Sequence, residues 1–398
     1  MALAGRRRTV AAAVAASLFL SGCWDRREIN DVAFVVATAI DKAGPRYRVM
    51  VQIPLPGQMG TLGQSGGGGT SGTKTFYVDS AVGDTIREAN SELQLAMSRR
   101  MSFAHMRVLL IGEDLARVGI SPVIDVNARI PQNRLTAFML VVKGQGGSVL
   151  NADAPMERYP AEMIRELAGT QTMKNPRRIR DVLHALISDG LDPVLPAISV
   201  VKTEPEGEHD AVSTIRVAGY AVFRGDRLAG YLEGGAAEGL LWAMNQAKNP
   251  VITVKPPKGE GKITIQFPQT DASLRVRMRQ GQPVYSLRIR ATGAVIENES
   301  NYDLAAGENM EVIERTAKRV IEQEVYQALA ALQHRFHADP IGYGDALHRQ
   351  QYAVWRKLRT HWDEVYTKVH TVVDAEVQVE NTGNVREPMG IPRKELTE

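Results

Sequence analysis

The feature that most constrains this chain is a short apolar run that leads to its single cysteine, Cys23. Three arginines, Arg6, Arg7 and Arg8, precede the run, which spans residues 9–20 without a charged side chain. A basic stretch, an apolar stretch and small residues in that order are the layout of a secretory signal. A membrane-spanning helix needs about 20 apolar residues. The run is shorter, so we expect it to direct export without remaining as a helical anchor.

An exported chain with one cysteine cannot form an intramolecular disulfide. Exported domains often depend on disulfides, so this chain must be stabilised by packing instead. Hydrophobic residues make up 44% and charged residues 23% of the 398, which is typical of globular protein. Removal of residues 1–22 as a signal peptide leaves 376 residues, enough for two or three domains.

The charge of the exported part provides no argument for a nucleic-acid partner. The whole chain has 48 basic and 45 acidic residues and a formal charge of +3. The three arginines before the apolar run leave with the signal, so the mature chain has 45 basic and 45 acidic residues. A neutral chain lacks the basic excess expected of a nucleic-acid-binding protein.

The first part of the mature chain, residues 23–205, predicts an α+β domain with a mixed β-sheet. Residues 31–40 are apolar on both faces, which is typical of a buried central strand. Residues 46–53 alternate with period two and should pair with it as a hairpin. Further strands are predicted at 75–78, 107–112, 134–143 and 195–202, and helices at 82–98, capped by Ser80 or Asp84, and at 113–117, 156–168 and 179–187. The Gly-rich residues 57–72 predict a flexible loop.

An acidic stretch with Pro and Gly at 203–210 predicts a boundary before a C-terminal α+β domain at 211–385. Strands predicted at 262–267, 272–279 and 284–297 follow one another without crossover helices, which indicates an antiparallel sheet. Residues 308–336 carry one apolar stripe at helical spacing that would lie across this sheet. The remaining predictions are a hairpin at 214–224 and 227–231, helices at 236–247 and 343–360, and a strand at 368–380. A third domain, divided off near 256–260, stays an alternative.

Residues Leu20, Ser21, Gly22 and Cys23 resemble the lipobox of bacterial lipoproteins. The resemblance implies that a diacylglyceryl group alkylates the Cys23 thiol and that the chain is then cut between Gly22 and Cys23. Two acyl chains would hold the protein on a lipid bilayer, where a single chain binds only marginally. An ordinary signal with a cysteine nearby is the alternative, and the position of the only cysteine favours the lipobox.

Four segments of the mature chain carry a further resemblance. They are CWDRREIND at 23–31 with AID at 39–41, SFAHM at 102–106, GYAVF to GLLW at 219–242, and DPIGYG at 339–344 with Trp355 and Trp362 downstream. In this order they resemble the Ger(x)C family, the lipoprotein C subunits of nutrient germinant receptors in bacterial spores. The segments cover nearly the whole mature chain, which is identified as a member of this family.

The resemblance implies a non-enzymatic subunit on the outer face of the spore inner membrane. Its implied partners are a polytopic A subunit and a transporter-like B subunit, in a receptor that responds to amino acids or sugars. Whether this subunit contacts the small-molecule germinant is left open. The alternative is a solute-binding lipoprotein of an importer. Such proteins usually have two doubly wound lobes, which the successive strands at 262–297 disfavour.

The residues themselves indicate no catalytic, cofactor or metal site. The chain lacks a Gly-x-Ser-x-Gly elbow, a phosphate-binding Gly-Lys-Thr loop and a His-Glu-x-x-His helix, which disfavours an exported hydrolase. His334, His337 and His348 have no cysteine or carboxylate pair beside them, so solvated histidines are a better interpretation than zinc ligands. Three tryptophans are predicted to be core residues, with ligand stacking as the alternative: Trp242, Trp355 and Trp362.

Two groups of residues are candidates for contact with a membrane or a partner. Trp24, Arg26 and Arg27 adjoin Cys23, and an aromatic ring with two cations suits the lipid headgroup region. A solvated tether is the alternative for these three residues. Five arginines on two predicted strands would share one face, either as a partner surface or as a solvated sheet face: Arg275, Arg277, Arg279, Arg288 and Arg290.

Overall fold

The structure, a computed structural model, describes residues 31–55, 75–204, 211–304 and 307–381. Several predictions fall outside these ranges: the signal peptide at 1–22, the lipobox with Gly22 and Cys23, the contact candidates Trp24, Arg26 and Arg27, and the Gly-rich loop at 57–72. They therefore stay predictions.

An eight-stranded mixed sheet forms the centre of the first part of the chain. Its members are β2 (Ala37–Ala43), β3 (Arg46–Pro54), β4 (Phe76–Gly83), β6 (Val108–Gly112), β7 (Phe138–Val142), β8 (Val194–Lys202), β9 (Ser213–Arg224) and β10 (Arg227–Leu232), while β1 (Val32–Phe34) and β5 (Arg100–Ser102) form a separate parallel pair. The strand order is β10-β9-β8-β7-β6-β2-β3-β4. The four middle strands are parallel neighbours, and antiparallel strands flank them on both sides. The predicted mixed sheet is confirmed.

Helices cover both faces of this sheet. They are α1 (Ile86–Leu95), α2 (Glu113–Val118), α3 (Ser121–Arg129), α4 (Gly146–Leu150), α5 (Pro160–Thr170) and α6 (Ile179–Ile187). Side chains of α1, α2, α3 and α6 pack in one apolar cluster, and side chains of α4 and α5 pack in another. Alternate residues of each central strand belong to the two clusters, because side chains of a strand point to opposite faces.

The predicted strand at 31–40 is interrupted. Val35 and Val36 separate β1, which pairs with β5, from β2, which pairs with β3 and β6. The predicted cap of α1 was also wrong, because β4 continues through Ser80 to Gly83. Thr85 caps the helix instead, since its side chain accepts a hydrogen bond from the Glu88 N–H at 3.1 Å.

The sheet continues across the acidic stretch at 203–210. Lys202 at the end of β8 pairs with Ser213 at the start of β9, so the stretch connects two antiparallel neighbours within one sheet. The predicted hairpin of β9 and β10 is therefore part of the first sheet rather than of the second. The division into domains at 205 and 211 stays a prediction.

A four-stranded sheet organises the rest of the chain, in the order β11-β12-β13-β14. Its strands are β11 (Val251–Val254), β12 (Ile263–Arg279), β13 (Gln282–Asn298) and β14 (His370–Asn381). The two strands predicted at 262–267 and 272–279 form one long strand with register shifts between Thr264 and Gln269. The first three strands are antiparallel, as predicted, whereas β14 is parallel to β13. A parallel pair needs a crossover connection, which the helices between β13 and β14 supply.

The helices of this part pack on one face of the four-stranded sheet. They are α7 (Gly234–Ala243), α8 (Gly307–Ala330) with a π-helical end (Ala331–Phe336), α9 (Tyr343–Gln350), α10 (Tyr352–Leu358) and α11 (Trp362–Tyr366). The predicted stripe of α8 is confirmed, because Ile313, Ala317, Ile321 and Val325 have no exposed surface. The single helix predicted at 343–360 is divided into shorter ones. Within the described ranges, no helix combines the length and apolar character needed to cross a bilayer.

Helix α8 also protects the outer edge of β14. An edge strand presents unpaired N–H groups that can recruit another chain. On β14, three of these groups donate to side chains of α8: Val373 to Tyr326 at 3.2 Å, Ala375 to Glu322 at 3.1 Å and Val379 to Glu314 at 2.7 Å. Residues four or eight apart on a helix lie on one face, and this spacing lets one helix face accept from several outward N–H groups of the strand.

Candidate functional site

In the DPIGYG segment at 339–344, a buried aspartate side chain binds the backbone N–H groups that follow it in the chain. The Asp339 carboxylate accepts hydrogen bonds from the N–H groups of Gly342, Tyr343 and Gly344, each at 2.9 Å. It also accepts one from the indole Nε1 of Trp362 at 3.2 Å. These contacts hold the first turn of α9, where a negative charge is favourable, against the helix that begins at Trp362.

A second aspartate joins this segment to the eight-stranded sheet. The Asp192 carboxylate accepts from the N–H groups of Asp339 and Gly225, both at 2.7 Å. The Asp192 N–H in turn donates to the Asp339 carbonyl at 3.0 Å. Because Asp192 lies two residues before β8 and Gly225 lies in the β9–β10 turn, the two aspartates form a junction between the two sheets. We call Asp192, Asp339 and Trp362 the junction.

The electrostatics of the junction follow from its burial. Loss of water raises the pKa of Asp339 to about 7, against the opposing effect of the three N–H donors. Burial likewise raises the pKa of Asp192, and its N–H donors again oppose the rise. The oxygens of both carboxylates are occupied by backbone and indole donors, so the site holds two chain segments together.

Aromatic rings fill the space around the junction. Trp355 and Trp362 lie edge to face with centroids 5.4 Å apart, and Tyr343 lies 4.6 Å from Tyr285 and 5.6 Å from Tyr366. The edge-to-face arrangement is favourable for aromatic pairs. Trp242, elsewhere in the same core, lies 6.2 Å from Phe267. All three predicted core tryptophans are at most 4% exposed, and their core placement is confirmed.

Gly190 permits this close packing. A Cβ at Gly190 would lie 2.5 Å from the Trp355 ring and 2.8 Å from the Cα of Gly344. Its φ of +76° is also one that L side chains rarely adopt. The loop before β8 can therefore approach α9 only with glycine at this position.

Of the three histidines considered as zinc ligands, His348 lies among aromatic rings. His348 lies against Tyr352 and Trp355, with ring centroids 5.5 and 5.9 Å away. Among the described residues, no three His, Cys, Asp or Glu side chains are grouped as ligands of a metal ion.

The five arginines predicted to share one face do so. Arg275 is opposite Ser286, and Arg288 is opposite Ser273, in the register of β12 and β13. Arg290 pairs with Glu376 at 3.5 Å, whereas the other four have no ion-pair partner within the described ranges. A shallow hollow of about 290 Å³ lies between Arg275, Arg277 and Arg288. The shared face is confirmed, and its use as a partner surface stays a prediction.

Sequence reasoning missed Asp192 and the pairing of the two aspartates. Asp192 lies in a Gly-Leu-Asp-Pro stretch that follows the helix predicted at 179–187. An aspartate beside turn residues is a common local feature. Its partner is 147 positions away, and no local pattern indicates a contact at that separation.

Comparison with known proteins covers both parts of the chain. One protein-family model, described as the spore germination protein N-terminal domain, matches residues 25–200, and a second, described as spore germination B3/GerAC like, C-terminal, matches residues 218–383. A Bacillus subtilis (strain 168) relative designated "Putative spore germination protein YfkR" is 41% identical over 367 residues, which are 92% of this chain and 94% of the relative. Spore germination protein KC of the same organism is 26% identical, over 94% of this chain and 95% of that protein.

A solved structure shares the fold. The crystal structure of the GerBC protein superimposes with a TM-score of 0.56, and the match covers 86% of this chain and 97% of that chain. Sequence identity in this match is 20%, so the likeness shows a common fold.

Proposed function

The chain belongs to the Ger(x)C family of spore germination proteins, and on this premise we propose that it is the lipoprotein subunit of a nutrient germinant receptor. In this proposal it assembles with polytopic A and B membrane subunits and has no catalytic role. The observation that carries the proposal is the pair of family matches, which cover residues 25–200 and 218–383 and so account for nearly the whole mature chain.

The lipobox provides the proposed anchor. Acylation of Cys23 would hold the chain on the outer face of the spore inner membrane through two acyl chains. The short link from Cys23 to Asp31, where the described structure begins, would keep Trp24, Arg26 and Arg27 near the lipid headgroups. A lipid anchor needs no membrane-spanning helix, and none of the described helices could span a bilayer.

The fold favours a receptor subunit over an importer's solute-binding lipoprotein. The C-terminal sheet is built from antiparallel neighbours β11, β12 and β13, with a single parallel strand added at its edge. A doubly wound lobe would instead alternate parallel strands with helices.

Co-purification from detergent-solubilised spore inner membranes tests the proposal, with the chain tagged after Glu398. We expect two polytopic membrane proteins to be recovered with it. Recovery of an importer permease, or of the chain alone, would contradict the proposal.

The anchor is tested separately with Cys23→Ala. Because Cys23 precedes every described element of the fold, we expect this variant to fold but to leave the membrane fraction and to weaken germination. Ser21→Ala, which keeps a small residue in the lipobox, is the matched control and should stay in the membrane fraction. Full membrane retention of Cys23→Ala would show that the anchor lies elsewhere.

A further inference from the structure

A cavity of about 410 Å³ lies in the N-terminal part of the chain, away from the junction. Helices α1 and α3 form two of its walls, and β2, β5 and β6 contribute the others. Its volume is in the range of small-molecule sites. Phe103 and Met106, from the SFAHM segment, line it, together with Ile40 from the AID segment.

Two oxygen atoms of residues that line the cavity have no hydrogen-bond partner among the residues that the structure describes. They are Thr38 Oγ1 and Asn90 Oδ1, both buried. A buried polar atom without a partner is costly, and each such atom in a native fold calls for an explanation. A ligand that forms hydrogen bonds with both oxygens would explain them.

Neighbouring polar side chains in the same cavity are satisfied by the protein. The Gln94 amide donates to the Arg99 carbonyl at 3.0 Å and accepts from the Met101 N–H at 2.9 Å. The Asn127 amide donates to the Val123 carbonyl at 2.8 Å. Among the described residues that line the cavity, the buried side-chain atoms without a partner are therefore Thr38 Oγ1 and Asn90 Oδ1.

The charges around the cavity favour an anion. Arg87 and Arg100 line it, and neither guanidinium has an ion-pair partner within the described ranges. No Asp or Glu is among the described residues that line the cavity. Arginine binds carboxylates through charge-assisted hydrogen bonds, so a carboxylate would supply the partner that these arginines lack.

The remaining surface is apolar. Ile40, Phe103 and Leu109 contribute uncharged side chains without hydrogen-bonding groups. A ligand that matches all three kinds of surface must have a carboxylate, a hydrogen-bond donor for Asn90 Oδ1, and an apolar body.

We propose that this cavity binds a small organic carboxylate that carries a donor group and an apolar side chain, the chemistry of a free amino acid or a hydroxy acid. Arg87 and Arg100 bind the carboxylate, Thr38 and Asn90 bind the donor group, and Ile40 contacts the apolar body. The inference goes beyond the proposed function, which assigns no ligand to this subunit, and does not depend on it.

Matched ligands test the chemistry by titration calorimetry with the purified full chain in detergent. The probes are the apolar L-amino acids and their 2-hydroxy-acid analogues, with the amino-acid amides as controls that lack the carboxylate. We expect binding of acids from at least one of the two series, and at least tenfold weaker binding of the amide of any amino acid that binds. Equal binding of acid and amide, or no binding by either acid series up to 10 mM, as a rough ceiling for a specific site, overturns the proposal.

Thr38→Val separates ligand binding from a structural role. Valine has nearly the shape of threonine without the hydroxyl, so removing an unpaired buried oxygen should raise the melting temperature by about 2–4 °C. We expect the same variant to bind the acid about fivefold to tenfold more weakly, because a ligand hydrogen bond is lost. Arg100→Gln should also weaken binding of the acid while leaving the amide unaffected.

Thr371→Val is the matched control. Thr371 is also buried, but its hydroxyl donates to the Tyr343 hydroxyl at 3.0 Å and it lies in β14, outside the cavity. This variant should lower the melting temperature and leave the affinity for the acid unchanged. Unchanged affinity in both Thr38→Val and Arg100→Gln would show that the acid binds elsewhere and would overturn the proposal.

Discussion

At the scale of single residues, Asp339 shows how a buried charge can organise a fold. Both of its oxygens accept hydrogen bonds, Oδ1 from Gly342 and Tyr343, and Oδ2 from Gly344 and Trp362. Charge-assisted bonds of this kind are stronger than neutral ones, and they offset part of the cost of burying the carboxylate. The DPIGYG segment thus has a structural explanation that does not require a ligand.

Asp339→Asn should destabilise the fold although it preserves the shape of the side chain. An amide has one accepting oxygen, and its NH₂ group would face N–H donors. We expect a loss of about 2–4 kcal/mol in the free energy of unfolding, measured by denaturant unfolding with tryptophan fluorescence. Asp345→Asn is the control, since Asp345 is partly exposed and forms an ion pair with the exposed Arg349, and it should change stability by less than about 0.5 kcal/mol. Equal effects of the two variants would contradict the role of Asp339.

Glu324 makes stability depend on pH. Burial, with the nearby Glu238 charge, raises its pKa from 4.5 to about 7, while the Trp242 indole opposes the rise. Because the folded-state pKa is the higher one, the folded chain binds more protons between these values. The contribution of Glu324 to stability is therefore present below pH 4.5 and lost as pH rises to about 7.

Glu324→Gln should remove part of this dependence, since glutamine resembles the protonated acid and can still accept from the Trp242 Nε1. We expect the variant to be more stable than the parent at pH 8 by about 1–2 kcal/mol, after allowance for partial solvent screening. Near pH 4.5 the two proteins should be alike. Melting temperatures at both pH values measure this difference, and a constant difference across pH would contradict the assignment to Glu324.

At the scale of elements, the crossing of α7 and α8 depends on one glycine. A Cβ at Gly239 would lie 1.9 Å from the Glu324 carbonyl oxygen, in the backbone of α8. Backbone atoms cannot move aside as the end of a flexible side chain can. At Gly235, one turn earlier in α7, the nearest atom would be the Gln327 side-chain oxygen at 3.0 Å.

Gly239→Ala and Gly235→Ala should therefore have opposite effects. The first forces the two helices apart, and we expect a loss of about 2–4 kcal/mol. The second increases helix propensity, and we expect a change between zero and a gain of about 1 kcal/mol. Denaturation midpoints of the two variants provide the comparison, and a similar loss in both would show that α7 does not pack against α8 as described.

Local signals predicted many elements well. The helix at 179–187 was predicted with the bounds of α6, and the apolar stripe of α8 appeared at its expected spacing. The break at Val35 was missed because β1 and β2 are both apolar, and only their different partners separate them. The parallel addition of β14 was also missed, since alternation within a strand does not indicate the direction of its neighbour.

At the scale of the whole molecule, β9 and β10 connect the two parts of the chain. Both belong to the eight-stranded sheet, yet Tyr220, Val222 and Leu232 pack in the apolar cluster of the C-terminal sheet. The same strands therefore stabilise both parts, and the junction of Asp192 and Asp339 lies beside them.

Two fragments of different length test where the C-terminal boundary of the first domain lies. A fragment of residues 23–204 leaves the edge of β8 unpaired, so we expect it to aggregate. A fragment of residues 23–232 retains β9 and β10 and should contain more folded, monomeric protein, as measured by size-exclusion chromatography and circular dichroism. Equal yields of folded monomer from both fragments would instead support the boundary predicted at 205.

The sequence by itself predicted an export signal and a lipobox at Cys23, and it determined the family, the α+β class and most individual elements, because each of these depends on residues close together in the chain. Only the tertiary structure decided the strand order, the continuation of the first sheet into β9 and β10, the meeting of Asp192 with Asp339, and the cavity beside Thr38. These features depend on contacts between distant segments, such as the 147 positions that separate the two aspartates. Their formation is governed by the packing of the whole chain, which no local pattern of residue types records.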